Sequence, residues 1–203
     1  MPGSTASIIR KQSAGPALPT RHCFTVDEFH RMYERRVLPP EERTELIEGD
    51  IILVAAIGSH HFQCVNTFNG WLVVGVGGRG IVSIQNAVRL STSSEPQPDV
   101  AILRPREDGY SERLPGPADV LLLIEVSDSS FPFDQKRKLP LYAASGIPEL
   151  WITQVARKRV LVHRNPSGAG YEDVQIVRRD GVLSPQACPD LRFPVASLFK
   201  WSR

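Results

Sequence analysis

Apolar and polar residues along the chain alternate between two periods, and the switches between them outline a mixed protein. "VDEFHRMYERRV", from Val26, has acids early and arginines late, as a helix dipole favours, and Thr25 is a suitable N-cap. The spacing predicts a helix there, ended by Pro39-Pro40. "TELIEGDIILV" (44–54) reads as a short turn around Gly49, then a strand from about Asp50 to Val54. His61, Val65, Phe68 and Leu72 fall on one helical face across residues 60–74, and the glycine-rich "GVGGRG" (75–80) stops that helix. Short apolar runs predict strands at 80–84, 87–90, 99–103 and 119–126. "DQKRKLPLYAAS" reads as a helix with Asp134 near its N-cap, Gly146 just past its end, and a bend where Pro140 lacks an N–H. Strands are predicted at 149–153, 159–164 and 171–177, and a short terminal helix near Val195 to Phe199. Strands and helices mixed around one apolar sheet make an α/β class domain.

Composition narrows this picture only a little. The 203 residues, 41% hydrophobic and 23% charged, suit one domain with a single core. Residues 1–20 are rich in Gly, Pro and Ser and read as a flexible tail, leaving 21–203 as the domain. No stretch approaches the roughly 18 apolar residues of a membrane span, and the N-terminus lacks the apolar region of a secretory signal. No membrane partner is therefore expected. Cys23, Cys64 and Cys188 are widely spaced, without a C-x-x-C pair, which argues against a disulfide framework or structural zinc and suits a reducing cytoplasm. A net charge of +2 is too small to argue for nucleic acid by itself. The cations in "DQKRK" (134–138) and "ARKR" (156–159) read first as solvated surface.

Candidate chemistry begins where a carboxylate ends an apolar run. In "LLLIEVSDSS" (121–130), Glu125 directly follows residues that look buried on both faces, and burying an unpaired carboxylate costs several kcal/mol or more. Asp99, in "EPQPDVAIL", stands at the start of a strand, because the proline before it favours extended backbone. Alternation puts Asp99, Ala101 and Leu103 on one side, and Leu121, Leu123, Glu125 and Ser127 share a side of the later strand. If these strands are neighbours, Asp99 and Glu125 meet, and a hard divalent cation such as Mg²⁺ would relieve their repulsion. The plainer alternative is that Asp99 caps a turn and Glu125 pairs with a nearby Arg or Lys.

The order of these segments resembles the PD-(D/E)xK nuclease superfamily. More closely, the chain looks like a large bacterial family of candidate restriction endonucleases, long catalogued as a domain of unknown function. "ELIEGDII" (45–52), "IGSHHFQCVNTFN" (57–69), "IVSIQNAVRL" (81–90), "SEPQPDVAIL" (94–103), "LLLIEVSDSS" (121–130) and "DQKRKLPLYAASGIPELWI" (134–152) carry the likeness, each short but in the family's order. The resemblance implies a restriction-endonuclease-like core, a mixed sheet flanked by helices. It also implies an explanation for Ser127, where the superfamily motif has lysine: this family carries its lysine on the next helix, at Lys138 here, with Tyr142 one turn along on the same face.

The resemblance further implies that Asp99, Glu125 and the Val126 carbonyl hold Mg²⁺, with Mn²⁺ as a substitute, while Lys138 assists catalysis. Glu45 matches the family's early glutamate and would approach the metal, although Glu48 and Asp50 are nearby alternatives and all three could simply solvate a turn. His61 and Gln85 fall on family positions that line the site; a hydrogen-bonded core histidine and a cross-strand structural amide are the competing readings. Cys64 and Trp71 read as packing residues. The implied activity is metal-dependent hydrolysis of DNA phosphodiester bonds in the cytoplasm, without an organic cofactor. The alternative is a nuclease-fold nucleic-acid-binding or regulatory protein with weak or lost activity. A homodimer is compatible with either, with "PELWI" and "RKRVLVHRN" as the expected contact surface.

Overall fold

The computed structural model describes residues 21–54, 58–168 and 170–201, so the tail expected at 1–20 lies outside the described residues. Helix α1 (Val26–Glu34) starts as its sequence requires. Thr25 Oγ1 accepts the Glu28 N–H, while the Glu28 carboxylate accepts the Thr25 N–H, a reciprocal capping box. Strands β1 (Thr44–Ile47) and β2 (Asp50–Leu53) then form an antiparallel hairpin with Ile47 opposite Asp50. The two residues between them, Glu48 (φ 51°) and Gly49 (φ 80°), both take the left-handed conformation that tight hairpins need. A Cβ on Gly49 would also lie 2.6 Å from the Cys23 Cβ, so glycine is required there twice over. The first arm, β1, was not anticipated, because its four buried residues carry no alternation.

A six-stranded sheet follows, ordered β3 (Ile81–Ile84), β4 (Val100–Leu103), β5 (Val120–Ser127), β6 (Glu149–Gln154), β7 (Arg159–Ser167) and β8 (Gly170–Val177). Only β5 and β6 run parallel, which makes the sheet mixed. Alternation divides the core between its faces. On one face, α2 (Ser59–Val76) packs Cys64, Phe68 and Leu72 against Val100, Ile102, Leu122, Ile124 and Trp151, with Trp71 at the margin. Each fully buried large apolar side chain of this layer contributes about 2 kcal/mol. On the other face, Ala101, Leu123, Leu150 and Ile152 meet Tyr142 and Ile147.

The second layer exists because a parallel pair needs a long crossover. Between β5 and β6 the chain forms a short turn, α3 (Phe131–Phe133), a π-helical turn (Asp134–Lys138) and α4 (Leu139–Ala144). The bend expected at Pro140 takes the form of that π turn, in which the Leu139 N–H reaches the Asp134 carbonyl. Asp134 lies one turn inside the helix and not at its N-cap, which is Ser130. No strand forms at 87–90. That segment bonds to the Pro96 and Pro115 carbonyls, and the prolines facing it lack the N–H groups a ladder needs. The expected terminal helix is a 3₁₀ turn (Val195–Leu198). All six residues of β6 are buried between β5 and β7, so "PELWI" offers no surface for self-association, contrary to expectation. Cys64 and Cys188 are free and buried, and Cys23 is free and exposed. Among the described residues no helix is long and apolar enough to cross a membrane.

Candidate active site

The register of the sheet decides which acids meet. Val100 pairs with Ile124 and Ala101 with Leu123, so Asp99 stands across from Glu125 where β4 begins. Asp99 reaches along that end, and its Oδ2 accepts the Val126 N–H at 2.8 Å. In a strand, the N–H and C=O of one residue point to the same edge, so the Val126 carbonyl shares the Asp99 side. His61, in the first turn of α2, donates from Nε2 to Asp99 Oδ2 at 3.0 Å. Gln85 donates to the same residue twice, from Nε2 to Oδ1 at 3.2 Å and from its backbone N–H to the Asp99 carbonyl at 3.1 Å. To do so Gln85 holds a φ of 54°, a conformation costing about 1–2 kcal/mol outside glycine.

Glu125 points into the opposite layer, beneath the crossover. Tyr142 OH donates to Glu125 Oε1 at 2.6 Å, and Lys138 Nζ donates to the same oxygen at 3.2 Å. Both reach it because residues four apart share a helical face. Lys138 also lies 3.0 Å from each carboxylate oxygen of Glu45, on β1 of the hairpin. The Gln97 N–H donates to Glu45 Oε1 at 2.9 Å and fixes that side chain. Asp134 closes the ring, accepting from Ser127 Oγ at 2.6 Å and Ser130 Oγ at 2.7 Å. Ser127 is therefore a hydrogen-bond donor that ties β5 to the crossover.

These bonds set the ionisation of the cluster. Burial pushes Asp99 upward, but His61, the Val126 N–H and Gln85 outweigh it and hold the carboxyl below its ordinary range. Glu125 is driven the other way. Burial raises it well above the carboxylate range; Lys138 offsets part of that rise, while Asp134, Asp99 and Glu45 add to it. Burial alone would favour a neutral Lys138, yet Glu125 and Glu45 hold it protonated above the usual lysine range. Burial and the Glu125 charge keep Tyr142 a protonated donor. Three buried carboxylates, Glu125, Glu45 and Asp134, thus act on one buried ammonium, and Asp99 stands next to them beside His61.

The cluster forms the floor of a cavity of about 490 Å³, walled by the β1–β2 hairpin, the start of α2 and the segment 128–134. Asp99, Glu125, Val126, Glu45, Lys138 and His61 all line it; Gln85 and Tyr142 stand behind and hold the two central acids. Glu48 and Asp50, the alternatives to Glu45, bond to Arg137 instead. Arg43, Phe133 and Asp134 line the cavity without having been singled out from sequence. Nothing local marks them, since Arg43 arrives ahead of the hairpin and Phe133 and Asp134 on the crossover.

The donors suit a hard divalent ion. No three His, Cys, Asp or Glu side chains among the described residues are grouped tightly enough to cage a metal. Mg²⁺ needs no such cage, because it binds through one or two carboxylates and keeps several waters. Both protein bonds to Glu125 fall on Oε1, so Oε2 has no protein donor among the described residues. Asp99 Oδ1 accepts only from Gln85. These two oxygens and the surplus negative charge are what such an ion takes.

The sequence model of the Uma2 family, described as "Putative restriction endonuclease", matches residues 26–196. No curated protein matches the chain. Among solved structures, a crystal structure of "a putative nuclease belonging to DUF820" from Anabaena variabilis matches with a TM-score of 0.68 and 18% identity. The match covers 88% of this chain and 98% of that one, and at such identity the likeness is one of fold.

Proposed function

The chain belongs to the Uma2 family, and on that premise we propose that it is a metal-dependent endonuclease hydrolysing DNA phosphodiester bonds. The observation that carries the reading is that Asp99, Glu125, Glu45 and Asp134, all buried, gather with Lys138 at the floor of an open cavity. Asp99, Glu125 and the Val126 carbonyl would hold Mg²⁺ or Mn²⁺, with Glu45 at its edge. When bound, such an ion polarises a phosphoryl oxygen and lowers the pKa of a coordinated water.

The remaining work falls to the chain. His61 and Gln85 keep Asp99 ionised and aimed into the cavity. Tyr142 fixes the rotamer of Glu125 by occupying one oxygen, which leaves the other facing the site. Lys138 carries its charge on a flexible four-carbon stem, so its ammonium can turn from Glu125 toward a phosphate oxygen and stabilise negative charge as it builds there. A lysine on the crossover serves as well as one on the strand, because only the position of the ammonium matters. The Gln97 N–H bond to Glu45 holds the hairpin at the cavity wall.

The test is cleavage of supercoiled DNA in Mg²⁺ or Mn²⁺ by the wild type and by D99A and E125A. The expected result is nicking by the wild type that EDTA abolishes, and loss on the order of a thousandfold in either variant. Full metal-dependent cleavage by D99A or E125A would remove the assignment.

A further inference from the structure

Resting on the nuclease reading, we propose that the cavity takes one nucleotide of an unpaired DNA strand, such as a single-stranded stretch or a frayed end, and not the intact duplex. The acids lie deep. The side chains of Glu45, Glu125 and Lys138 are 3%, 4% and 8% exposed, and that of Asp99 is 12% exposed. A phosphate must descend to that floor to meet them. A duplex carries its phosphates on a stiff convex surface, with grooves about 12 Å and 6 Å wide between them. The cavity, about 490 Å³, has room for one nucleotide and not for a helix. A strand free of its complement can bend a single phosphate inward.

The walls suit the rest of such a nucleotide. Ile52, Leu53 and Val54 make one side apolar, Phe133 also lines the cavity, and Leu53 stays 63% exposed. An open apolar residue and an aromatic ring lining the same cavity, over a charged floor, offer a base a surface to stack on. Arg43 stands next to this wall, because its carbonyl accepts the Val54 N–H at 2.8 Å. No carboxylate pairs with Arg43 among the described residues, whereas nearby Arg137 is taken by Glu48 and Asp50, and Arg21 by Asp50. Arg43 is thus a cation open to a backbone phosphate. Apolar stacking with one or two phosphate contacts is how unpaired strands are held. A duplex site needs many neutralised phosphates, and a net charge of +2 gives little basis for that.

The experiment measures binding of a fluorescently labelled DNA strand, alone or as a blunt duplex, by anisotropy. Ca²⁺ is present to occupy the oxygen donors, and the protein is the full chain. The strand should bind at least about tenfold more tightly than the duplex. F133A should weaken strand binding about tenfold, F133W should restore it, and duplex binding should not change. R43Q should weaken strand binding and reduce its salt slope by about one. Melting temperatures equal to the wild type establish that these variants fold. Duplex binding as tight as strand binding, with F133A without effect, overturns the inference yet leaves the nuclease reading standing if plasmid is still cut. A strand preference that depends on Phe133, in a protein that cuts no DNA with any metal, supports the inference and removes the nuclease reading. Failure to bind either DNA overturns both.

Discussion

Two buried glutamates on neighbouring strands show how differently one residue type is used. Glu149, at the start of β6, is fully buried and fully answered. Its Oε1 accepts from Trp151 Nε1 at 2.9 Å and Arg164 Nε at 2.8 Å, and its Oε2 accepts the Gln186 N–H at 2.7 Å. Arg164 extends the network to the Ser184 carbonyl, so one ion pair ties the C-terminal segment to the sheet. Charge there balances one for one, and the network lies outside the cavity. Glu125, on β5, keeps one oxygen without a protein donor among the described residues, faces an open cavity, and shares a single lysine with Glu45 and Asp134. Burial of a carboxylate therefore does not mark a site. An unmatched charge beside open volume does.

Charge removal at the two positions should break this contrast most visibly. E149Q leaves Arg164 without its counter-charge and should destabilise the fold by about 3 kcal/mol in chemical denaturation. Activity per folded molecule should remain. E125Q should do the opposite, sparing stability or raising it, since burial and its acidic neighbours already disfavour the charge. Equal destabilisation by both would erase the difference between a matched and an unmatched carboxylate.

A smaller effect comes from His163, which shows what an uncharged buried group does away from the cavity. Burial holds its pKa down at about 4 against an ordinary 6.5, and its Nε2 has no partner. The unfolded chain therefore binds the proton first. The stability from this group is complete above pH 6.5 and is lost as the pH falls toward 4, by about 2 kcal/mol at pH 5. Denaturation at pH 7 and pH 5 should show that loss in the wild type and a shallower one in H163F.

A still smaller loss than at His163 is expected at Tyr142, which sharpens the comparison from inside the site. Y142F deletes one hydrogen bond to Glu125 and should cost about 1 kcal/mol. Metal-dependent cleavage should fall about tenfold, as when a group orienting a metal ligand is lost. An unchanged rate would mean that Tyr142 supports only packing.

Several parts of this arrangement are readable in the chain itself. The capping box at Thr25 and Glu28, the stripe through Val65, Phe68 and Leu72, and the alternation around Asp99 and Glu125 are local signals, and the elements they predict are present. One expected strand that does not form and one strand that the pattern does not predict have physical reasons. Residues 87–90 have strand composition but face prolines, and β1 is buried on every side and so lacks a period. The resemblance supplied Lys138, Tyr142, Glu45, His61 and Gln85, and the folded chain gathers all of them around the two acids.

What sequence determined, then, is the set of strands and helices and which side of each carries the acids, because periodicity is a property of neighbours along the chain. Tertiary structure alone decided the rest. The antiparallel register brought Asp99 opposite Glu125, and the parallel step from β5 to β6 carried Lys138 and Tyr142 over the same strand. It also separated the matched Glu149 from the unmatched Glu125. Whether a buried charge is balanced depends on groups distant in sequence, here 93 residues apart for Glu45 and Lys138, and only folding brings them into contact.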